Sequence, residues 1–176
     1  MEGSMKALTI TQPWASLIAT GEKVIETRSW RTGHRGQIAI HAAKGFPVWA
    51  RETCADEPFL SALRRHGLIE HYGTKRTTTE LFLPTAAIVA VADLAWIILT
   101  GDKLNHQHKA PFTVRGPVGQ SYEMTAQEYE FGNFEPGRYG WVLKNVQRLD
   151  EPIACKGALG LWTLPSEIAT RLEKAA

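Results

Sequence analysis

The chain has 176 residues, 44% of them hydrophobic and 9% aromatic, enough for one domain with a sizeable core. Its formal net charge is +2 and its pI is near 8.6, so any nucleic-acid surface must be a local patch. The two cysteines, Cys54 and Cys155, lie far apart without metal-ligand spacing, and no apolar run reaches membrane-spanning length. These features lead us to expect a reduced, cytoplasmic protein with no membrane segment, no metal and no cofactor.

Residues 1–4 read as a cloning remnant ahead of Met5. Lys6–Ile10 is a first short strand. Thr11 offers a hydroxyl to cap a helix start, and Pro13 sits in the first turn, where its missing N–H costs nothing. Trp14, Leu17 and Ile18 follow at helical spacing, and Gly21 ends the helix, about three turns long, in the left-handed conformation expected of a C-cap glycine. The helix delivers the chain into Gly21-Glu22-Lys23-Val24-Ile25-Glu26-Thr27-Arg28-Ser29-Trp30, an extended stretch crowded with charge. Strand alternation places Glu26, Arg28 and Trp30 on one face, with Val24 beside them, and Ile25, Thr27 and Ser29 on the other.

Arg31 to Gly36 is a basic turn containing Arg31, His34 and Arg35. Gln37–Ala42 alternates as a strand, with Ile38, Ile40 and Ala42 on one face and Gln37, Ala39 and His41 on the other; Lys44 follows in a loop. Residues 46–71 read as helical, with Trp49, Phe59, Leu60, Leu63 and Leu68 as apolar positions. Tyr72 to Thr79 is a polar loop with Lys75 and Arg76. Ala86–Trp96 is the strongest buried strand. From Gly101 to Gly137 the pattern fails, apart from a helical turn around Thr125 to Tyr129, and a connection that long is more often functional or flexible than neutral. A strand starts at Arg138 and runs toward Leu149; Lys156–Trp162 is a glycine-punctuated closing strand, and Pro165–Lys174 is a C-terminal helix. Short strands bent at glycines, with helices in the connections, predict a single α+β domain built on a small β-barrel.

Gly21-x-Lys23-x-x-Glu26-x-Arg28, preceded by Gln12-Pro13-Trp14 and followed by an Ile-rich strand ending in His41-Ala42, resembles the ASCH domain family of bacteria and phages. Gly137-Arg138-Tyr139-Gly140-Trp141 and Lys156-Gly157-Ala158-Leu159-Gly160-Leu161-Trp162 extend the likeness over nearly the whole chain. The resemblance implies a PUA-like β-barrel over residues 5–165, including the loop-rich 101–137 segment, with 166–176 as a C-terminal helix and tail. It also implies that the motif lines a cleft beside the first helix. The superfamily consists mostly of readers of RNA or modified nucleobases, while some ASCH proteins are ribonucleases or amidohydrolases acting on an acylated cytidine.

The residues support several roles. Arg28 can grip a phosphate or carboxylate with its planar fork, Lys23 adds a point charge, and Glu26 can accept from a base amino group. The plainer reading of the three is a rim ion pair at the edge of the barrel. Trp14 and Trp30 are candidates for base stacking, against an ordinary core role; Trp141 and Trp162 read as core. Gln12 belongs to the same candidate set. His41 is either a general base or phosphate contact, or a hydrogen-bonded structural histidine. Arg31 and Arg35 suit backbone phosphates or a solvated turn, and Lys44 suits ligand contact from its loop. Lys75, Arg76, Lys103 and Lys109 could extend the patch. His106 and His108 lack partners at metal spacing, and Gly116 to Gly119 lacks the lysine of a phosphate-binding loop.

Amidohydrolase members carry a threonine nucleophile where this chain has Glu26, and a carboxylate cannot replace that hydroxyl. Hydrolysis would instead need Glu26 as a base toward water, with Lys23 or Arg28 on the oxyanion. For a metal-independent ribonuclease, Lys23, Glu26, His41 and Tyr139 have suitable chemistry. The sequence reading is a protein that binds RNA or a modified nucleotide; the alternatives are a metal-independent hydrolase and a protein-interaction module.

Overall fold

The computed structural model describes residues 4–71, 79–100, 112–116 and 119–175. Lys75, Arg76, Lys103, Lys109, His106 and His108 therefore lie outside the described residues. In chain order the strands are β1 (Lys6–Ile10), β2 (Ile25–Arg28), β3 (Gly36–Ala42), β4 (Ile69–His71), β5 (Thr79–Leu81), β6 (Ala87–Leu99), β7 (Phe112–Arg115), β8 (Ser121–Met124), β9 (Tyr139–Ala154) and β10 (Leu161–Thr163). The helices are α1 (Trp14–Ala19), α2 (Val48–Thr53), α3 (Phe59–Arg65), α4 (Ala126–Glu130) and α5 (Ser166–Ala175). The result is a mixed α+β arrangement: a six-stranded sheet in the order β10-β1-β3-β6-β9-β2, with two small hairpins, β4-β5 and β7-β8.

The chain divides into two compact units. The first comprises residues 1–22, 37–92 and 146–176, and the second residues 23–36 and 93–145. In the first, β1 runs parallel to β3, with Thr9 opposite His41, and antiparallel to β10. Its core joins Ala7, Ala39, Ile88 and Val91 to Leu149 and Ile153, and α5 contributes Ile168 and Leu172. In the second, β2 pairs antiparallel with β9, so Glu26 faces Trp141 and Arg28 faces Tyr139. Ile25, Trp96, Ile98, Met124, Phe134 and Val142 form its core. Among the described residues no helix is long and apolar enough to cross a membrane.

Several sequence expectations are corrected. Thr11 does not cap α1; the Gln12 side chain takes that role by accepting from the Ser16 amide at 3.1 Å. The helix has six residues and is shorter than expected, though Gly21 does adopt φ +78°. Residues 46–71 break into two short helices and a strand, with Pro58 immediately ahead of α3, where it has no N–H to donate. Trp49 is 58% exposed and so is not a core position. The 101–137 stretch contains the β7-β8 hairpin as well as α4. The closing strand shrinks to Leu161–Thr163, because residues 155–160 are irregular and Gly160 has φ +69°.

Candidate functional site

Lys23 lies at the start of the second unit and is completely buried. Its ammonium donates to the Ile25 carbonyl and stands 3.7 Å from Glu128 Oε1. Glu128 also accepts the amides of Val24 at 2.8 Å and Ile25 at 3.0 Å, which fastens α4 to the entry of β2. Burial pushes the Glu128 carboxyl above the usual carboxylate range, while the Lys23 ammonium and the two backbone amides pull it back down. The chemistry is that of a buried charge paired with a carboxylate and a backbone carbonyl, without which it would not be tolerated.

Sequence reasoning missed Glu128. A signal was present: Thr125-x-x-Glu128 has capping-box spacing, and Thr125 Oγ1 does accept from the Glu128 amide at 3.0 Å. The carboxylate, however, turns to the Val24 and Ile25 amides at the entry of β2 rather than back to its own cap.

Glu26 and Arg28 meet as alternation requires, with Nε 3.1 Å from Oε1. Glu26 is nearly buried, and the Arg28 side chain keeps 24% exposure. Trp30 is half-buried; its ring meets Trp141 edge-on at 4.7 Å, and its carbonyl accepts from Trp141 Nε1 at 3.3 Å. Trp141 itself is fully buried core. Beyond Trp30 the turn exposes Arg31 and Arg35. The Arg35 guanidinium folds back to the carbonyls of Thr32 and His34 at 3.1 and 2.6 Å, which stiffens the turn. Tyr139 is half-buried in register with Arg28. Lys23, Glu26, Arg28, Trp30, Arg31, Arg35 and Tyr139 thus all belong to the second unit.

Gln12, Trp14, His41 and Lys44 belong to the first unit. Gln12 is buried, and its amide nitrogen donates to Ser16 Oγ at 2.8 Å and to the Pro84 carbonyl at 2.6 Å, so its polar atoms are spent on structure. Trp14 is half-buried between Trp49 and Phe59, each with its ring centroid 5.7 Å away. His41 is 1% exposed. Its Nε2 lies 2.9 Å from the Cys155 carbonyl, which can only accept, so Nε2 carries the hydrogen and Nδ1 is a bare lone pair. That Nδ1 is buried with no hydrogen-bond partner. Burial lowers the His41 pKa, against the raising effect of the Cys155 carbonyl. Lys44 is exposed. Among the described residues no cluster of three or more His, Cys, Asp or Glu is placed to hold a metal ion.

The ASCH domain profile matches residues 8–153 of this chain. A stretch of 40 residues, 23% of the chain, is 50% identical to activating signal cointegrator 1 of Homo sapiens. Over 35 residues, 20% of the chain, the identity to the Mus musculus protein of the same name is 54%. These matches span only 7% and 6% of the relatives' lengths. The crystal structure of ASCH from Zymomonas mobilis matches 97% of this chain and 94% of its own, with a TM-score of 0.50 and 13% identity. At that identity the likeness establishes the fold alone.

Proposed function

We propose that this chain, which belongs to the ASCH domain family, binds RNA or a modified nucleotide through the Gly21–Trp30 segment and the basic turn that follows it. The observation that carries this reading is the grouping on β2 and its exit. A part-exposed Arg28 is braced by Glu26, a half-buried Trp30 is braced by Trp141, and Arg31 and Arg35 stand exposed beyond them. The arginines supply phosphate contacts, the indole offers a stacking face, and the carboxylate of Glu26 can accept from a base amino group. In this reading Lys23 acts from beneath, holding the β2 entry in shape through Glu128 rather than touching the ligand. The family likeness points the same way, toward RNA-related binding.

The test is fluorescence anisotropy with a labelled single-stranded RNA over a range of salt concentrations. Replacing Arg31 and Arg35 by alanine should flatten the log–log salt dependence by about 0.7 for each phosphate that is no longer neutralised. Trp30→Ala should cost about 1–3 kcal/mol of binding with little change in that slope. Binding unaffected by all three substitutions would sink the proposal. Product formation without metal, abolished by Glu26→Ala, would favour the hydrolase alternative. Absence of any RNA signal would leave a protein-interaction role.

A further inference from the structure

The first unit holds a cavity of about 730 Å³ that the proposal above does not use. That volume falls within the usual range for small-molecule sites. His41, at the C-terminal end of β3, lines it together with Thr9 of β1, and one wall is the irregular loop after β9. Lys44 and Lys156 both border it and both are exposed. No aspartate or glutamate lines it. Neither lysine has an ion-pair partner among the described residues. The remaining lining is apolar, including Leu159 at 97% exposure.

The region around His41 is built rather than incidental. The imidazole is anchored through Nε2 to the Cys155 carbonyl and meets the Trp162 ring edge-on at 5.7 Å. Trp162 Nε1 donates to Thr9 Oγ1 at 3.1 Å, and Thr9 Oγ1 in turn donates to the Ala158 carbonyl at 2.9 Å. Gly157 lies against the imidazole: a Cβ there would stand 2.4 Å from Cε1 and 2.7 Å from Nδ1. The loop can therefore close on the ring only with glycine at this position, and the residue before that glycine is Lys156.

We infer that this cavity is a phosphate-monoester site sized for a nucleoside monophosphate. Lys44 and Lys156 bind the dianionic phosphate, and the apolar wall, with the buried His41 ring behind it, takes the nucleoside. Two ammonium groups with no carboxylate in the lining match the charge of a monoester, which a backbone phosphodiester carries only by half. The phosphate can belong to a free nucleotide or to the 5′ end of an RNA. The inference is independent of the arginine turn, which lies in the other unit.

The test titrates the full chain with adenosine 5′-monophosphate, adenosine, and short RNAs ending in a 5′-phosphate or a 5′-hydroxyl. Calorimetry measures affinity, and the His41 ring resonances report where the ligand sits. The monophosphate should bind at least tenfold more tightly than adenosine and shift the His41 signals. Lys44→Ala/Lys156→Ala, two surface changes that should leave the melting temperature unmoved, should remove that preference, whereas Arg31→Ala/Arg35→Ala should retain it. A preference shared by the 5′-phosphorylated RNA identifies an RNA end as the ligand, and one confined to the mononucleotide identifies a free nucleotide. Equal affinity for adenosine and its monophosphate, or full retention of the preference in the lysine variant, overturns the inference.

Discussion

The two units each bury a polar side chain that sequence patterning marks as unusual, and they handle it in opposite ways. In the second unit Lys23 is sealed from solvent with its charge met by Glu128 and its ammonium donating to the Ile25 carbonyl. In the first, His41 is equally sealed but keeps one ring nitrogen without a partner. The difference follows from charge. An ammonium cannot be left incomplete in a low-dielectric interior, whereas a neutral imidazole with one bare acceptor costs only about 1–3 kcal/mol. Burial makes the Lys23 pair a structural clasp, and the same burial leaves His41 dependent on remaining neutral.

The largest way to break this comparison is Glu128→Ala. It strands the Lys23 charge and frees two backbone amides, so chemical denaturation should show a loss of about 3–5 kcal/mol. The paired change Lys23→Met/Glu128→Gln should recover much of that loss; a double variant as unstable as the single one would refute the clasp. Next in size is Gly157→Ala, whose methyl group would meet the His41 ring. A loss of about 1–3 kcal/mol is expected, read from the same denaturation curves. An unchanged midpoint would mean that the loop is not held against the imidazole.

The third effect is smaller and depends on pH. The folded-state pKa of His41 lies below its ordinary 6.5, so the unfolded chain takes up this proton first. Its stabilising contribution is full above pH 6.5 and is lost as the pH falls from there toward the depressed folded value. His41→Gln should flatten that part of the stability profile relative to the parent protein; identical slopes would place the proton uptake elsewhere. The smallest change expected is Arg28→Ala, a part-exposed pair whose loss should cost about 0.2–1 kcal/mol of stability. Its effect on RNA binding should be the greater of the two.

Local patterns were the legible part of the sequence. The Glu26–Arg28 pairing follows from alternation, the end of α1 from Gly21, and the buried β6 from its run of Ile and Val between small residues. The helical reading of 46–71 failed because apolar spacing persists across Pro58, where the backbone turns. Residues 156–162 looked like a strand because Gly-Ala-Leu-Gly-Leu-Trp can be extended, yet the contact of Gly157 with His41 sets its path. The Lys23 clasp was illegible because Glu128 lies 105 positions further along the chain, and only the folded β2–β9 pairing and α4 bring it near. Residue type marked Lys23 as special without saying whether it serves a ligand or the fold.

The long strands β6 and β9 carry one more consequence. The chain passes between the units at 22/23, 36/37, 92/93 and 145/146; the second of these follows the first residue of β3, and the last two fall well inside β6 and β9 themselves. Neither unit is a contiguous stretch of sequence, and at those two passages there is no linker to sever. A gene fragment encoding either one would have to cut through hydrogen-bonded strand, so the nucleotide cavity and the arginine turn would be inherited together and lost together.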